Sequence, residues 1–297
     1  MTAVKLTLAA IAGLALAVPA TAQDSKIPSD DIVVRGRRDK DVETFVRSLA
    51  SDKDGRQLAR WNGRLCVRIV GLWPERERTV GDRIAALAGR LGVSYQTPPK
   101  CTPNTVIAFT GQADKFTAEI VDAVPALISD VDSYGLPPRK QIARYLAPRP
   151  IRWFAINATT NADGQRAGAV DRNGAGLATD ASPSSIPASR IMARTRENTV
   201  AALIVVDESK LGGIKWTQLA DYLAMVTFAQ PRIDANFADS DSIMAMFAAR
   251  DAGRAGPAGL TPADQAFLTA LYRTDANLSS DQQRGAIGDA VRKQARR

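Results

Sequence analysis

The spacing of apolar residues along the first part of the chain predicts helices that alternate with strands. Apolar residues at three- and four-residue intervals predict helices over 41–49 and 80–91. Two segments rich in β-branched residues, 65–72 and 104–111, predict strands. Thr79 immediately precedes the second helical pattern, so we expect its side chain to cap that helix.

The middle of the chain predicts one more helix, a short helix within the proline-marked connector 134–150, and two more strands. A helix over 114–128 is expected to lose its last turns at Pro125, because proline cannot donate a backbone hydrogen bond. The segment 150–160 predicts a third strand, and the almost continuous apolar run 199–209 predicts a fourth, central strand of a covered sheet. Residues 161–189 are rich in Gly, Ala, Ser, Asp and Pro, which predicts a mobile loop between these strands.

The last third of the chain predicts helices. Residues 213–231 are apolar on nearly all sides of the predicted helix, and the carboxylate of Asp221 interrupts them. The polar segment 239–241 is expected to cap the next helix, and Asp264 to stabilise the first turn of the last one. The order of elements predicts an α/β (α+β) domain in which helices pack against a mixed sheet.

The first residues have the organisation of an export signal. Lys5 precedes a short apolar run, and Ala20 and Ala22 are small residues at the positions that a signal peptidase reads. Residues 1–22 are therefore a predicted signal peptide, and cleavage before Gln23 would leave the mature chain in a bacterial periplasm or outside the cell. No later stretch approaches the ~20 apolar residues of a membrane span, so an integral membrane protein is not expected.

The composition of the remaining chain predicts one domain between two polar ends. We expect a flexible lead over 23–40, a single domain over 41–290 and a basic tail over 291–297. The formal net charge is +8, but the basic residues are scattered and are not interleaved with aromatic residues. This pattern disfavours specific nucleic-acid binding and predicts only weak attraction to anionic surfaces.

The chain has two cysteines, Cys66 and Cys101. In an oxidising compartment such a pair usually forms a structural disulfide. Catalytic dithiol chemistry is the alternative, but it typically requires Cys-x-x-Cys spacing. We therefore predict a Cys66–Cys101 bridge with no catalytic role.

Several phrases of the chain resemble uncharacterised secreted bacterial proteins related to zincin metalloprotease domains. They are RWFAINAT for an edge strand, ALIVVDES for the strand before the active helix, QLADYLAMVTFAQP for the active helix, and DSIMAMF with LTPADQAFLTALY for the tail. The related active helix carries His-Glu-x-x-His, in which both histidines bind one zinc ion and the glutamate acts on the metal-bound water. The resemblance implies a zincin-like fold over most of 65–272.

The chain departs from that pattern at every residue that the chemistry needs, since it contains no histidine. If the helices correspond, Ala220 and Ala224 replace the two histidines, and Asp221 replaces the glutamate. Alanine has no lone pair with which to bind zinc, so we expect no metal and no cofactor. The resemblance then implies a scaffold without zinc-peptidase activity, and Ser-His-Asp and Cys-His catalysis are excluded as well.

Two acids remain as candidates for other chemistry, Asp221 and Glu208. Burial of a lone carboxylate is costly, so Asp221 is expected to bind backbone amides or an arginine from the sheet. The alternative is that Asp221 acts as a general base or binds a ligand in the former peptidase cleft. Asp207 and Glu208 end an apolar strand, a place where ligand sites on open sheets often lie, although a solvated strand end explains them better.

These expectations support two classes of function. The first is a non-catalytic, pseudo-peptidase binding domain of the cell envelope, whose partner is an unknown protein or an envelope surface. The second is a carboxylate-dependent hydrolase that uses the former peptidase cleft. An enzyme requires several polar groups that converge in an open pocket, whereas a binding domain requires an exposed apolar groove without such a cluster.

Overall fold

The computed structural model describes residues 40–49, 57–128, 139–161 and 195–296. The predicted signal peptide, the predicted lead apart from its last residue, and residues 162–189 of the predicted loop lie outside these ranges. The described helices are α1 (40–49), α2 (Pro74–Leu91), α3 (Ala113–Ala123), α4 (Arg139–Leu146), α5 (Trp216–Ala229), α6 (Met246–Asp251), α7 (Pro262–Arg273) and α8 (Ser280–Ala295). The described strands are β1 (Leu65–Val70), β2 (Tyr95–Gln96), β3 (Thr105–Thr110), β4 (Ile151–Asn161) and β5 (Thr195–Asp207).

The strands form one mixed sheet in the order β2-β1-β3-β5-β4. β1 is parallel to β2 and β3, β3 is parallel to β5, and β4 runs antiparallel to β5 at the end of the order. The mixed α/β architecture and the interior position of β5 are confirmed. β2 was not predicted, because a pair of strand residues leaves no recognisable periodicity.

Alternate residues of the strands separate the apolar interior into two layers. Ile107, Ile204 and Val206 belong to the larger core, which also contains residues of α2, α5 and α7. Phe154 and Val205 belong to a smaller cluster with residues of α3. Because successive strand residues point to opposite faces, the two clusters lie on opposite sides of the sheet.

The predicted start of α2 is wrong. The helix begins at Pro74 instead of Val80, and Trp73 occupies the N-cap position. Proline is favoured at the first helical position because its missing N–H would have no partner there. Thr79 therefore lies inside the helix, where its hydroxyl donates to the carbonyl of Glu75 at 3.0 Å.

One further boundary differs from the sequence prediction, and another agrees with it. β1 ends at Val70 instead of Leu72, because the next residue, Gly71, has φ +87° and a side chain there would collide with the carbonyl oxygen of Phe109. Such a positive φ suits glycine and ends the strand. The helix before Pro125 does stop short as expected, and Pro125 opens a single 3₁₀ turn.

The caps of the C-terminal helices are only partly as expected. Ser242, and not the segment 239–241, caps the turn that leads into α6, since its hydroxyl accepts the amide of Met244 at 3.1 Å. Asp264 stabilises the first turn of α7 through a capping box with Thr261, as predicted. The last helix, α8, was not predicted, and it includes residues 291–295 of the predicted basic tail.

The Cys66–Cys101 disulfide is confirmed, with 6.1 Å between the two Cα atoms. It joins β1 to the segment that leads into β3 across a sequence separation of 35 residues. A bridge that closes a loop of this size stabilises a fold by roughly 3–4 kcal/mol by restricting the unfolded chain. Within the described ranges, every helix is too short or too polar to cross a membrane.

Candidate functional site

Asp221, the acid that interrupts the apolar helix α5, is buried and bound on several sides. Its Oδ1 accepts a hydrogen bond from Nε of Arg83, and its Oδ2 accepts from Nη2 of the same guanidinium at 2.8 Å. Oδ2 also accepts the backbone amide of Leu260 at 3.1 Å. The expected partners, an arginine and a backbone amide, are both present, but the arginine belongs to α2 and not to the sheet.

The two sides of this ion pair are exposed to very different degrees. The side chain of Asp221 is 4% exposed, whereas that of Arg83 is 42% exposed. The hydrogen bonds that Arg83 donates to Asp221 raise the pKa of Arg83, against the opposing effect of partial burial. A carboxylate with both oxygens occupied by such donors is poorly placed to accept a proton from a substrate.

Ala220 and Ala224, the positions of the expected zinc ligands, do not face a cleft. They are 1% and 0% exposed and belong to the larger hydrophobic core. Gly259, in the segment before α7, packs directly against the carboxylate of Asp221. A Cβ at this position would collide with Oδ2 of Asp221. The part of α5 that the resemblance associates with catalysis is therefore packed against other parts of the chain.

Glu208, the second candidate acid, is exposed in the 3₁₀ turn that follows β5. Its neighbour Asp207 is buried and accepts hydrogen bonds from Ser209 Oγ at 2.5 Å and from Ser209 N at 3.1 Å. Lys210 Nζ lies 2.7 Å from the other carboxylate oxygen of Asp207. Although burial acts to raise the pKa of Asp207, hydrogen bonds from Lys210 and Ser209 outweigh it and lower that pKa.

The same lysine extends this arrangement into a charge network. Lys210 Nζ lies 3.2 Å from the carboxylate of Asp114, which also binds the fully buried guanidinium of Arg152. The hydrogen bond to Asp207 is the main reason why the pKa of Lys210 is raised. Lys210 is therefore a protonated ion-pair partner and not a base that could activate Ser209.

The structure does not join these acids into a catalytic site. Asp221 binds α2 and the start of α7, whereas Asp207 binds groups that connect β5, α3 and β4. In the part of the chain that the structure describes, no group of at least three Cys, Asp or Glu side chains is arranged to hold a metal ion. The alanines at positions 220 and 224 also do not fit the zinc ion that the resemblance would imply.

A small apolar groove, here called the α5 groove, lies between α5, the start of β4 and α6. It has a volume of about 210 Å³. Its aromatic lining consists of Trp153, Tyr222, Phe237 and Phe247. The rings of Tyr222 and Phe247 meet edge to face with their centroids 5.3 Å apart, and Trp153 Nε1 donates to the carbonyl of Pro231 at 2.7 Å.

The α5 groove is on a different side of α5 from the expected zinc ligands. Residues advance by about 100° each around a helix, so Tyr222 points roughly opposite to the direction shared by Ala220 and Ala224. None of the groove residues was among the predicted site residues, because an apolar pattern predicts burial without indicating which residues border a cavity. Comparison with known protein families, with characterised proteins and with solved structures found no match for this chain.

Proposed function

We propose that the chain is an exported, non-catalytic binding domain of the cell envelope, built on a zincin-like scaffold. One observation carries the non-catalytic part of the proposal, namely the environment of Asp221. Its carboxylate is engaged by Arg83 and by the amide of Leu260, while Ala220 and Ala224 are packed in the core. This arrangement supports a structural use of the position where a related peptidase would place its base.

The sheet supports the zincin-like part of the proposal. The resemblance implies that the phrase RWFAINAT forms an edge strand, and these residues lie in β4, the last strand of the sheet order. It also implies that ALIVVDES precedes the active helix, and these residues end β5 and enter the turn that leads to α5. Both placements agree with the scaffold that the resemblance implies.

The α5 groove supports the binding part of the proposal. Its volume of about 210 Å³ is below the range of roughly 300–1,000 Å³ that is typical of small-molecule pockets. A groove of this size suits one large apolar side chain of a partner protein. Such side chains, seated in aromatic pockets, supply much of the affinity of protein interfaces.

A carboxylate-dependent hydrolase has less support from the same structure. Glu208 is exposed, and its neighbour Asp207 is held by Ser209 and Lys210. An acid–base pair requires two groups with different acidities that face one substrate. The contacts of Asp221 and Asp207 instead hold parts of the fold together.

Metal analysis of the exported protein tests the non-catalytic proposal. We expect protein purified without chelators to contain no stoichiometric zinc and to cleave no peptide or casein substrate. The physical reason is that Ala220 and Ala224 offer no ligand atoms in their side chains. One tightly held zinc ion per chain, or peptidase activity that persists after repurification, would contradict the proposal.

Site-specific cross-linking tests the α5 groove. A photoreactive amino acid at Asn236, an exposed residue of the groove, should capture an envelope protein in the exporting bacterium. Ala248→Phe would fill the groove and should abolish this product, while Ala252→Phe at an exposed position outside the groove lining should leave it unchanged. A product that survives Ala248→Phe, or no product at all, would reject the groove as the binding site.

Export itself is tested on the mature protein. Mass spectrometry should find Gln23 as the first residue, and neither Cys66 nor Cys101 should react with an alkylating agent before reduction. The reason is that the signal sequence directs the chain to a compartment in which the disulfide persists. An intact N-terminus together with two reactive thiols would contradict export.

A further inference from the structure

The end of the sheet opposite to β4, formed by β2 and β1, has an edge that is only partly paired. β2 pairs with β1 at Leu65 and Cys66 alone, while β1 continues to Val70 in register with β3. The chain then passes through Pro98 and Pro99, which have no N–H with which to extend the pairing. In the described part of the chain, residues 67–70 therefore have no strand on their outer side.

The pairing pattern shows which backbone groups this edge presents. The amide of Leu65 donates to the carbonyl of Ser94 at 2.8 Å, across the β2 side of β1. In a parallel strand, alternate residues direct both their N–H and their C=O to the same side. The N–H and C=O groups of Val67 and Ile69 therefore point to the same side as those of Leu65. Ile69 lies beyond the end of β2. An edge of this kind pairs most readily with another extended backbone.

A cleft of about 660 Å³ runs beside this edge, between β1 and α2. Its lining includes the phenol of Tyr95 and the carboxylates of Glu77 and Asp82. Burial raises the pKa of Tyr95, and the nearby charges of Asp82 and Glu77 raise it further. Arg68 and Arg78 also line the cleft, so the formal charges of its lining balance, but Glu77 and Asp82 are the charged groups that act on Tyr95.

The opposite face of the same edge has a different charge. Arg68 is exposed on β1, and successive residues of this strand alternate between the two faces of the sheet. Ile69 faces α2, because a Cβ on Gly81 of that helix would lie 3.9 Å from its Cδ1. The side chain of Arg68 therefore points away from α2, although Arg68 also borders the cleft at the strand edge. A strand added to this edge would direct one side chain toward Glu77 and Asp82 and the adjacent side chain toward the face of Arg68.

An exposed tryptophan lies at the end of the same edge. Trp73 is 77% exposed, and nearby Val70 is 41% exposed, which is unusual for such large apolar side chains. Val70 and Pro74 also line the cleft, so the exposed apolar surface is continuous with it. Tryptophan is among the residues that contribute most to binding energy at protein interfaces.

We propose that the free edge of β1 binds an extended segment of a partner polypeptide as an additional strand. The charges on the two sides of the edge favour a segment in which a lysine or arginine is adjacent to an acidic residue. The cationic side chain meets Glu77 and Asp82, the acidic one meets Arg68, and an apolar side chain packs on Trp73. Backbone hydrogen bonds supply the general affinity of this binding mode, and the side chains supply the selectivity. The proposal does not depend on the α5 groove, which lies beside β4 at the opposite end of the sheet order.

Titration with a synthetic strand tests the proposal. The probe is the blocked peptide acetyl-Thr-Thr-Val-Lys-Glu-Val-Thr-Thr-amide, added to the full mature protein while backbone amide NMR signals and tryptophan fluorescence are recorded. We expect shifts of the β1 amides around Ile69. Two matched peptides serve as controls, one with N-methyl groups at both valines and one with glutamine in place of lysine and glutamate. Both should bind at least about tenfold more weakly.

Protein variants locate the contact. Glu77→Lys combined with Asp82→Lys should weaken binding by about tenfold, and Trp73→Ala should do the same. Glu119→Lys combined with Asp122→Lys makes the same charge change on exposed positions of α3 and should leave affinity unchanged. Thermal unfolding of each variant verifies that the fold is retained.

Three results would overturn the proposal. The first is equal binding of the N-methylated peptide, which would exclude strand addition. The second is a bound peptide that leaves the Ile69 amide unperturbed. The third is the absence of any binding at a peptide concentration of about 1 mM, near the weak limit of specific recognition. Each result leaves the cross-linking experiment on the α5 groove unaffected, so the two proposals fail separately.

Discussion

Two carboxylates are buried on neighbouring helices, Asp221 on α5 and Asp264 on α7. Each is stabilised in the absence of water, but by different hydrogen-bond donors. Both accept backbone amides from consecutive residues of one segment, since Leu260 N lies 3.1 Å from Asp221 and Thr261 N lies 3.0 Å from Asp264. Asp221 is balanced by the cation of Arg83. Asp264 is stabilised by neutral donors, which include the hydroxyl of Ser242 at 2.6 Å.

The difference shows how this fold uses its internal acids. Burial raises the pKa of Asp264 because the hydrogen bonds from Ser242 and from two backbone amides only partly offset the loss of water. At Asp221 the guanidinium supplies a full opposite charge at the margin of the interior. In both cases the carboxylate fixes the start of α7, so the acid on α5 is an anchor for the tail of the chain.

Replacement of Asp264 should have the largest effect. Asp264→Ala leaves Ser242 Oγ, Ile243 N and Thr261 N without their buried acceptor, and we expect a loss of about 3–4 kcal/mol in the free energy of unfolding. Urea denaturation measures this loss. Asp281→Ala, at an exposed position of α8, is the control and should change stability by less than about 0.5 kcal/mol. Similar values for both variants would show that Asp264 does not hold the tail.

The Arg83–Asp221 pair should respond unequally to removal of its two members. Arg83→Met leaves a buried carboxylate without its cation, and we expect it to cost about 3 kcal/mol. Asp221→Asn should cost less, about 1–2 kcal/mol, because the partly exposed Arg83 can turn toward water. Chemical denaturation of both variants and of the double variant measures the coupling. Equal losses for the two single variants would contradict the burial of Asp221.

Gly259 offers a smaller and more local test. Gly259→Ala should cost about 1–2 kcal/mol because the added methyl group displaces the carboxylate of Asp221. In an Asp221→Ala background the same change should cost little, since the colliding atoms are gone. A double-mutant cycle measured by thermal unfolding detects this coupling. Additive effects would show that the carboxylate moves aside without cost.

Much of this arrangement was accessible from the sequence, because strong periodicity survives in the fold. The predicted strands and the apolar helix α5 were recognisable because each is an alternating or nearly continuous apolar run that the fold buries. The partner of Asp221 was not, because Arg83 is 138 residues away and looks like any exposed helical arginine. Pairing of this kind depends on how α2 and α5 pack, and the local spacing of residues does not predict that packing.

Two of the missed features had local signals of a kind that is easily overlooked. Pro74 at the first helical position indicates the true start of α2. Thr79 was wrongly predicted as the cap, because threonine is also accepted inside a helix. Ser279 and Gln282 form a capping box that precedes α8, whose small and polar residues weaken the apolar pattern. The grooves had no local signal, since they depend on gaps between elements that are distant in sequence.

The smallest expected effect is a difference in pH dependence between Asp264 and Asp207. The pKa of Asp264 is raised above its ordinary value of 3.8, so its contribution to stability is present below that pH and is lost as pH rises through the folded pKa. The pKa of Asp207 is lowered, so its contribution is present above pH 3.8 and is lost as pH falls through the folded pKa.

Substitutions separate these opposite signs. Compared with the unmodified protein, Asp264→Asn should remove a contribution that grows toward acidic pH, and Asp207→Asn should remove one that disappears there. We expect the two differences to change in opposite directions across the acidic range. Urea denaturation at a series of pH values measures both. Parallel pH profiles for the two variants would mean that the buried acid of α7 and the ion-paired acid of β5 experience the same environment, against the contacts that distinguish them.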